Sequence, residues 1–170
     1  MCLLWTCGYF GTAVYSWFGN VLDPSEYRGL DATAYLENVF PEDAAAIRWL
    51  DENIEGQPIV LEANGDSYSD YERVSAMTGL PTVLGWYVHE WLWRGDTQDL
   101  NMRSADVEQI YTSTDAAVVE ELLNQYQVSY IFVGSKEREK YPALNEYVLQ
   151  QMGQIVFQDE TSGTYIIEVE

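Results

Sequence analysis

Apolar positions along this chain recur at two spacings, one helical and one extended, and their order sets the expected architecture. Segment 30–39 has the makings of a short helix that ends on the approach to Pro41. Pro41, Glu42 and Asp43 then place a proline and two acids where a helix N-terminus favours them. Ala46, Ile47, Leu50 and Ile54 follow at helical spacing up to a stop at Gly56. Trp49 and Leu50 are expected to face a sheet. Segment 58–63 (PIVLEA) is a compact apolar run between breakers and reads as a buried strand with Glu62 at its C-terminal end. A polar loop over 64–70 leads to a short helix or irregular segment over 71–77. A second short strand is expected at 82–84, after Gly79 and Pro81. One helical turn over 89–93, a polar loop over 95–101 and a short helix over 105–111 come next. Thr114 or Asp115 caps a helix reaching Tyr126 on Val118, Val119, Leu122 and Leu123, and 128–133 (VSYIFV) is the strand after it. A helix over 141–152 stops at Gly153, and 155–157 with 165–169 form a terminal hairpin around Ser162 and Gly163.

Helices alternating with strands predict an α/β fold: a mixed, partly parallel sheet flanked by helices in two or three layers, closed by a C-terminal antiparallel hairpin. In such sheets ligands collect beyond the C-terminal strand ends. Glu62 and the loop after it belong there.

Residues 3–22 stand apart from this pattern. Trp5, Tyr9, Phe10, Tyr15, Trp17 and Phe18 are interrupted by Gly8, Gly11 and Gly19, with no basic leader and no small-residue cleavage site. The glycines and hydroxyls weaken a full span, and the aromatic density suits a membrane–water interface. Two readings stay open: the exit from a membrane segment, or an N-terminal arm packed on the domain. The expected organisation is an apolar lead-in over 1–29 and one α/β domain over 30–170. Cys2 and Cys7 lie in the lead-in, have no partner cluster for zinc and leave the redox compartment open.

Composition changes the picture in one respect. With 47% hydrophobic residues among 170, the chain has enough apolar content for a core without staples, so its net charge of -20 sits on a folded surface. Twenty-eight acids against eight bases repel polyanions, which argues against nucleic acid and against anionic lipid head groups as partners.

The chemistry concentrates in 62–94, EANGDSYSDYERVSAMTGLPTVLGWYVHEWLWR, which holds the only histidine, three of the six tryptophans, five acids and two arginines. Aromatic faces beside carboxylates, amides and guanidiniums match what a sugar needs, an apolar platform plus partners for a rim of hydroxyls. Trp86, Trp91 and Trp93 are either stacking platforms or the closure of a core under a long loop. His89 and Glu90 lack the second histidine of a zinc-binding helix, so no metal is expected, and no cofactor. No nucleophile elbow surrounds Ser67, Ser69 or Ser75, and no phosphate-loop glycine pattern surrounds Gly65. Arg73, Arg94 and Arg103 either pair with carboxylates or converge on a phosphate or uronate.

The runs DAAAIRWL, E-A-x-G-x-S-Y, R-x-S-x-x-T-G-L-P-T-V-L-G-W, H-E-W-x-W-R-G and D-V-x-x-I-Y-T-S, with VSYIFVG and EREKY, resemble the C-terminal portion of the YYY family of large polytopic membrane proteins. That family's membrane part is similar to GT-C glycosyltransferases, which transfer sugars from polyprenyl-phosphate donors on the outer face of a membrane. The element order here also resembles the soluble domain of oligosaccharyltransferase catalytic subunits. The resemblance implies a cell-membrane protein with this domain on the extracytoplasmic face. Its partners would be its own transmembrane region, absent from this chain, and a polyprenyl-phosphate sugar or glycan acceptor. It falls on Glu62, Gly65, Ser67, Tyr68, Arg73, Ser75, Thr78, Gly79, Gly85, Trp86, His89, Glu90, Trp91, Trp93, Arg94, Asp106, Tyr111, Thr112 and Ser113. Together with Asp66 from the loop, Glu62, Ser67, Tyr68, Arg73, Thr78, Trp86, His89, Glu90, Trp91, Trp93, Arg94, Asp106 and Tyr111 are the candidate binding residues. GT-C enzymes carry their catalytic acids between membrane helices, so the expectation is a binding domain that is not catalytic alone. The rivals are a structural module that docks on its own membrane part or a partner, and a hydrolase using Glu62, Asp66 or Glu90 as paired carboxylates.

Overall fold

A computed structural model of the chain describes residues 33–170. The lead-in, its cysteines and the boundary expected near residue 29 lie outside the described residues. The elements run α1 (Thr33–Val39), α2 (Ala44–Asn53), β1 (Ile59–Leu61), α3 (Arg73–Thr78), α4 (Tyr87–Arg94), α5 (Gln98–Thr112), α6 (Ala116–Gln125), β2 (Val128–Val133), α7 (Ser135–Lys140), α8 (Glu146–Leu149), β3 (Gly153–Gln158) and β4 (Tyr165–Val169).

The fold is α/β, with one four-stranded mixed sheet in the order β1-β2-β4-β3. β1 and β2 are parallel and joined through α3 to α6, whereas β4 is antiparallel to both β2 and β3. Strand alternation divides the sheet's side chains between two cores. Leu61, Ile131, Val133 and Ile167 pack with Val107, Ile110, Val119 and Leu123 of α5 and α6 on one face. Val60, Phe132 and Ile166 pack with Leu36, Ala46, Ile47, Leu50 and Val74 of α1, α2 and α3 on the other. Helices therefore cover both faces, and Leu50 is buried as its spacing predicts. Trp49 lies against Phe157 of β3, ring centres 5.9 Å apart.

Four local expectations are corrected. Segment 82–84 forms no strand. Pro81 offers a carbonyl to the Val60 amide at 2.9 Å but has no N–H to return, and Val83 and Leu84 are instead buried as plugs. The helix expected over 105–111 begins seven residues earlier, so much of the supposed loop over 95–101 is helical. Polar residues disguise those turns, which are fixed by the buried Leu100 and by Arg103 donating to Asp99 at 2.9 Å. The turn expected over 89–93 extends to eight residues in α4.

The helix expected over 141–152 shrinks to the single turn of α8, because Pro142 holds the residue before it out of the helical region. Asn145 starts that turn, its side-chain carbonyl accepting from the Val148 amide and its amide donating to the Ser113 carbonyl at 3.0 Å. Ahead of it stands α7 (SKEREK), a helix without an apolar stripe. Its buried residue is Glu137.

Candidate functional site

The site region begins where β1 ends. Glu62 is buried, and its carboxylate accepts the free amides of Val74 at 2.9 Å and Ser75 at 2.7 Å, so a strand-end acid caps the N-terminus of α3. Burial pushes this carboxyl up to about 7, although Arg73 and the Ser75 and Val74 groups pull the other way. The loop between strand and helix is closed on itself. The Gly65 amide donates to Glu72 Oε1 at 3.1 Å, and the Gly65 carbonyl accepts from the Tyr87 amide at 3.1 Å. A Cβ on Gly65 would stand 2.3 Å from the Tyr71 ring, so no other residue fits this crossing.

Arg73 opens α3 and turns inward. It donates to Asp43 and to both oxygens of Glu137, and its guanidinium lies over the Phe132 ring, 5.2 Å from its centre. Glu137 also accepts the amides of Ala63 and Gly134, while Asp43 accepts from the hydroxyls of Ser135 and Thr164. Every charge in this buried triad is thus hydrogen-bonded. Burial pushes the Asp43 carboxyl up, but Arg73 and Ser135 outweigh it and hold the group below its usual range. Burial works against the Arg73 charge, and the surrounding carboxylates more than restore it, raising its pKa.

Outside this wall lies a cleft of about 440 Å³ lined by Glu72, Ser75, Ala76, Trp86, His89, Glu90 and Trp93. Two elements build it: α3 supplies Ser75 and Ala76, and α4, with Trp86 at its start, supplies the rest except Glu72. Trp86 is held by its Nε1, which donates to the Tyr71 carbonyl at 3.1 Å. Tyr68, Trp86 and His89 form a cluster of three rings with centres 5.1 to 5.7 Å apart. Trp93 is 89% exposed and Trp91 45%. Glu90 folds back toward Gly85, where a Cβ would meet Glu90 Oε1 at 2.9 Å, and it accepts from Arg94 Nε at 2.5 Å. A second depression of about 370 Å³ adjoins Trp86, Glu72 and Ala76 from the side of Tyr35, Phe40 and Tyr68.

Glu72 is the residue that the sequence left unmarked. It is buried, it is left-handed at φ 64, and it stands at the N-cap of α3 with its carboxyl on the cleft. Left-handed backbone at a glutamate is strained and persists only where the surroundings enforce it. Here the Gly65 amide does so. Burial pushes the Glu72 carboxyl up to about 8, with Glu62 and Glu90 adding to the shift and the Gly65 amide and Lys140 opposing it. Near neutral pH this group is largely a carboxylic acid, able to donate a hydrogen bond as well as accept one. Its one sequence signal is its place just before a helix, two residues after Asp70.

The structure brings Trp86, His89, Glu90 and Trp93 together in the cleft, with Tyr68 on its rim and Arg94 behind Glu90. It places other candidates in internal roles. Tyr111 is fully buried and donates to the Phe132 carbonyl at 2.8 Å. Asp106 accepts from the Tyr126 hydroxyl at 2.5 Å. Thr78 donates to the Val74 carbonyl at 2.8 Å and accepts from the Leu80 amide at 3.2 Å. Asp66 is exposed on the loop, and the Ser67 hydroxyl oxygen is shut away beside it with no hydrogen-bond partner. Among the described residues no three His, Cys, Asp or Glu side chains gather as metal ligands would, and no helix is long and apolar enough to cross a membrane.

No family model and no curated protein matches the chain. Among solved structures it is similar to the C-terminal globular domain of an oligosaccharyltransferase from Archaeoglobus fulgidus. The two share 11% identity at a TM-score of 0.48, over 76% of this chain and 97% of that one.

Proposed function

We propose that this chain is the extracytoplasmic domain of a GT-C-like membrane glycosyltransferase of the YYY type, that it helps bind the sugar, lipid-linked donor or acceptor, and that it is not catalytic alone. The observation that carries the reading is the cleft itself. Trp86 and Trp93 offer apolar faces, while Glu72, Ser75 and Glu90 supply acceptors and donors at its base. A pyranose presents the complement, a C–H face and a rim of hydroxyls. The motifs that resemble the YYY family fall on Ser75, Trp86, His89, Glu90 and Trp93 of this cleft, which supports a shared role for it.

A second reading is favoured by α4. Val88, Trp91, Leu92 and Trp93 leave much of their apolar surface in solvent, more than a helix on a lone domain usually does. On this reading the helix docks against the protein's own membrane region or a partner.

Titration separates the two. The chain, and the full-length protein containing it, are presented with a glycan array and with short polyprenyl phosphates, and tryptophan fluorescence is followed. Saturable binding lost in Trp93→Ala supports the sugar site. Silence toward every saccharide and polyprenyl phosphate in both proteins rejects it and leaves the docking reading.

A further inference from the structure

Arg94, Arg73 and Lys140, the cations beside the cleft, are each already partnered. Arg94 is held by Glu90 at 2.5 Å and by Asp99 at 3.7 Å. Arg73 is sealed in its triad behind the wall, and Lys140 lies against the Asn64 carbonyl and the Tyr71 and Tyr141 rings. Among the described residues the cleft is lined by two glutamates and by no lysine or arginine. Phosphate and uronate sites are built the opposite way, from guanidiniums, ammoniums or helix amides aimed at the anion. The amides of Val74 and Ser75, at the start of α3, are already taken by Glu62.

Resting on the sugar-binding reading above, we infer that the cleft selects an uncharged glycosyl unit and turns away sugars bearing phosphate or carboxylate. The neutral ring stacks on Trp93 and Trp86, and its hydroxyls reach Glu90, Ser75 and Glu72. An anionic substituent meets Glu90, and the cation beside that carboxylate, Arg94, is already bound to it and does not line the cleft. Burial leaves Glu72 with a proton to donate to a sugar oxygen near neutral pH, a contact that a neutral ligand accepts without bringing further charge into the cleft. In a lipid-linked donor this cleft would therefore hold the sugar and leave the phosphate outside.

The chain is titrated at about 0.15 M salt, where a screening length of about 8 Å mutes the overall charge and leaves local contacts to decide. The probes are gluco-, manno- and galacto-oligosaccharides, their hexuronic-acid counterparts, and hexose 1-phosphates. The expected result is binding by at least one neutral series, at least about tenfold tighter than its uronic or phosphorylated counterpart, a gap that narrows in Glu90→Gln. Equal or tighter binding of the anionic probes, or a gap unchanged in Glu90→Gln, overturns the selectivity while the sugar site stands. Absence of binding by every probe overturns the inference together with the reading beneath it.

Discussion

Arg73 donates two hydrogen bonds to the Glu137 carboxylate, at 2.9 and 3.3 Å, where neither side chain retains more than 1% of its exposure. With Asp43, 2.7 Å from the same guanidinium, this pair locks the starts of α2 and α3 to α7. Removing the only cation leaves two buried carboxylates facing each other. Arg73→Leu is expected to cost about 3–5 kcal/mol in urea-induced unfolding. Arg73→Lys recovers only part of that, since an ammonium cannot fork across two carboxylates. A loss below about 1 kcal/mol in Arg73→Leu contradicts this account.

Gly65→Ala tests the crossing of loop and ring. The new methyl has no room beside Tyr71, and the loop cannot retreat without losing both backbone hydrogen bonds of Gly65. A loss of about 1–3 kcal/mol is expected, the usual range for overpacking. Trp86 emission should shift as well, because its indole is tied to the Tyr71 carbonyl. In a double-mutant cycle, Tyr71→Ala should offset part of the loss.

Stability should fall as pH rises through neutrality. Unfolded, Glu62 and Glu72 titrate near 4.5, and folded they keep their protons up to about 7 and about 8. Between those limits the native state binds more protons than the unfolded one, so each proton of difference removes ~1.4 kcal/mol per pH unit. Asp43 acts at the other end, because its lowered pKa gives stability that is lost only as pH drops below about 3.8. Thermal melts are expected to peak in mild acid and decline toward pH 8. Glu72→Gln, which keeps an oxygen for the Gly65 amide, should flatten the decline. A slope unchanged in that variant would clear Glu72 and leave Glu62 or surface repulsion as its source.

Trp86 and Trp93 should separate packing from exposure. Trp93→Ala removes a ring already in solvent and should alter unfolding by less than about 0.5 kcal/mol. Trp86→Ala breaks a hydrogen bond and a ring cluster and should cost about 2 kcal/mol or more. Equal effects on stability are not compatible with the described geometry.

What could be read from the chain follows what holds each part in place. β2, the terminal hairpin, α2 and α6 are fixed by apolar side chains at regular spacing, and their positions were legible. The side chain of Asp115 accepts from the Ala117 amide at 3.0 Å, as the cap signal for α6 predicts. α7 and the first turns of α5 are fixed by Glu137, by the Asp99–Arg103 pair and by one leucine, and hydrophobic periodicity cannot register such anchors. At the site the aromatic residues of α4 were legible from their density. Glu62 and Arg73 also stood out, but residue type alone does not say which way a side chain turns. Glu72 carried no spacing signal, since its prominence depends on a backbone angle and on a glycine seven residues earlier.

The strand order β1-β2-β4-β3 puts β4, nearly the last segment of the described chain, in the interior of the sheet. A ribosome delivers β1 and β2 long before their antiparallel neighbour exists, so β2 waits with one edge open through the synthesis of 31 further residues, from Gly134 to Thr164. Until β4 emerges the nascent sheet presents an unpaired strand, the kind of surface on which chaperones and misassembly compete. Completion of this sheet therefore waits on β4, and a truncation before Tyr165 would remove the strand that joins its two halves.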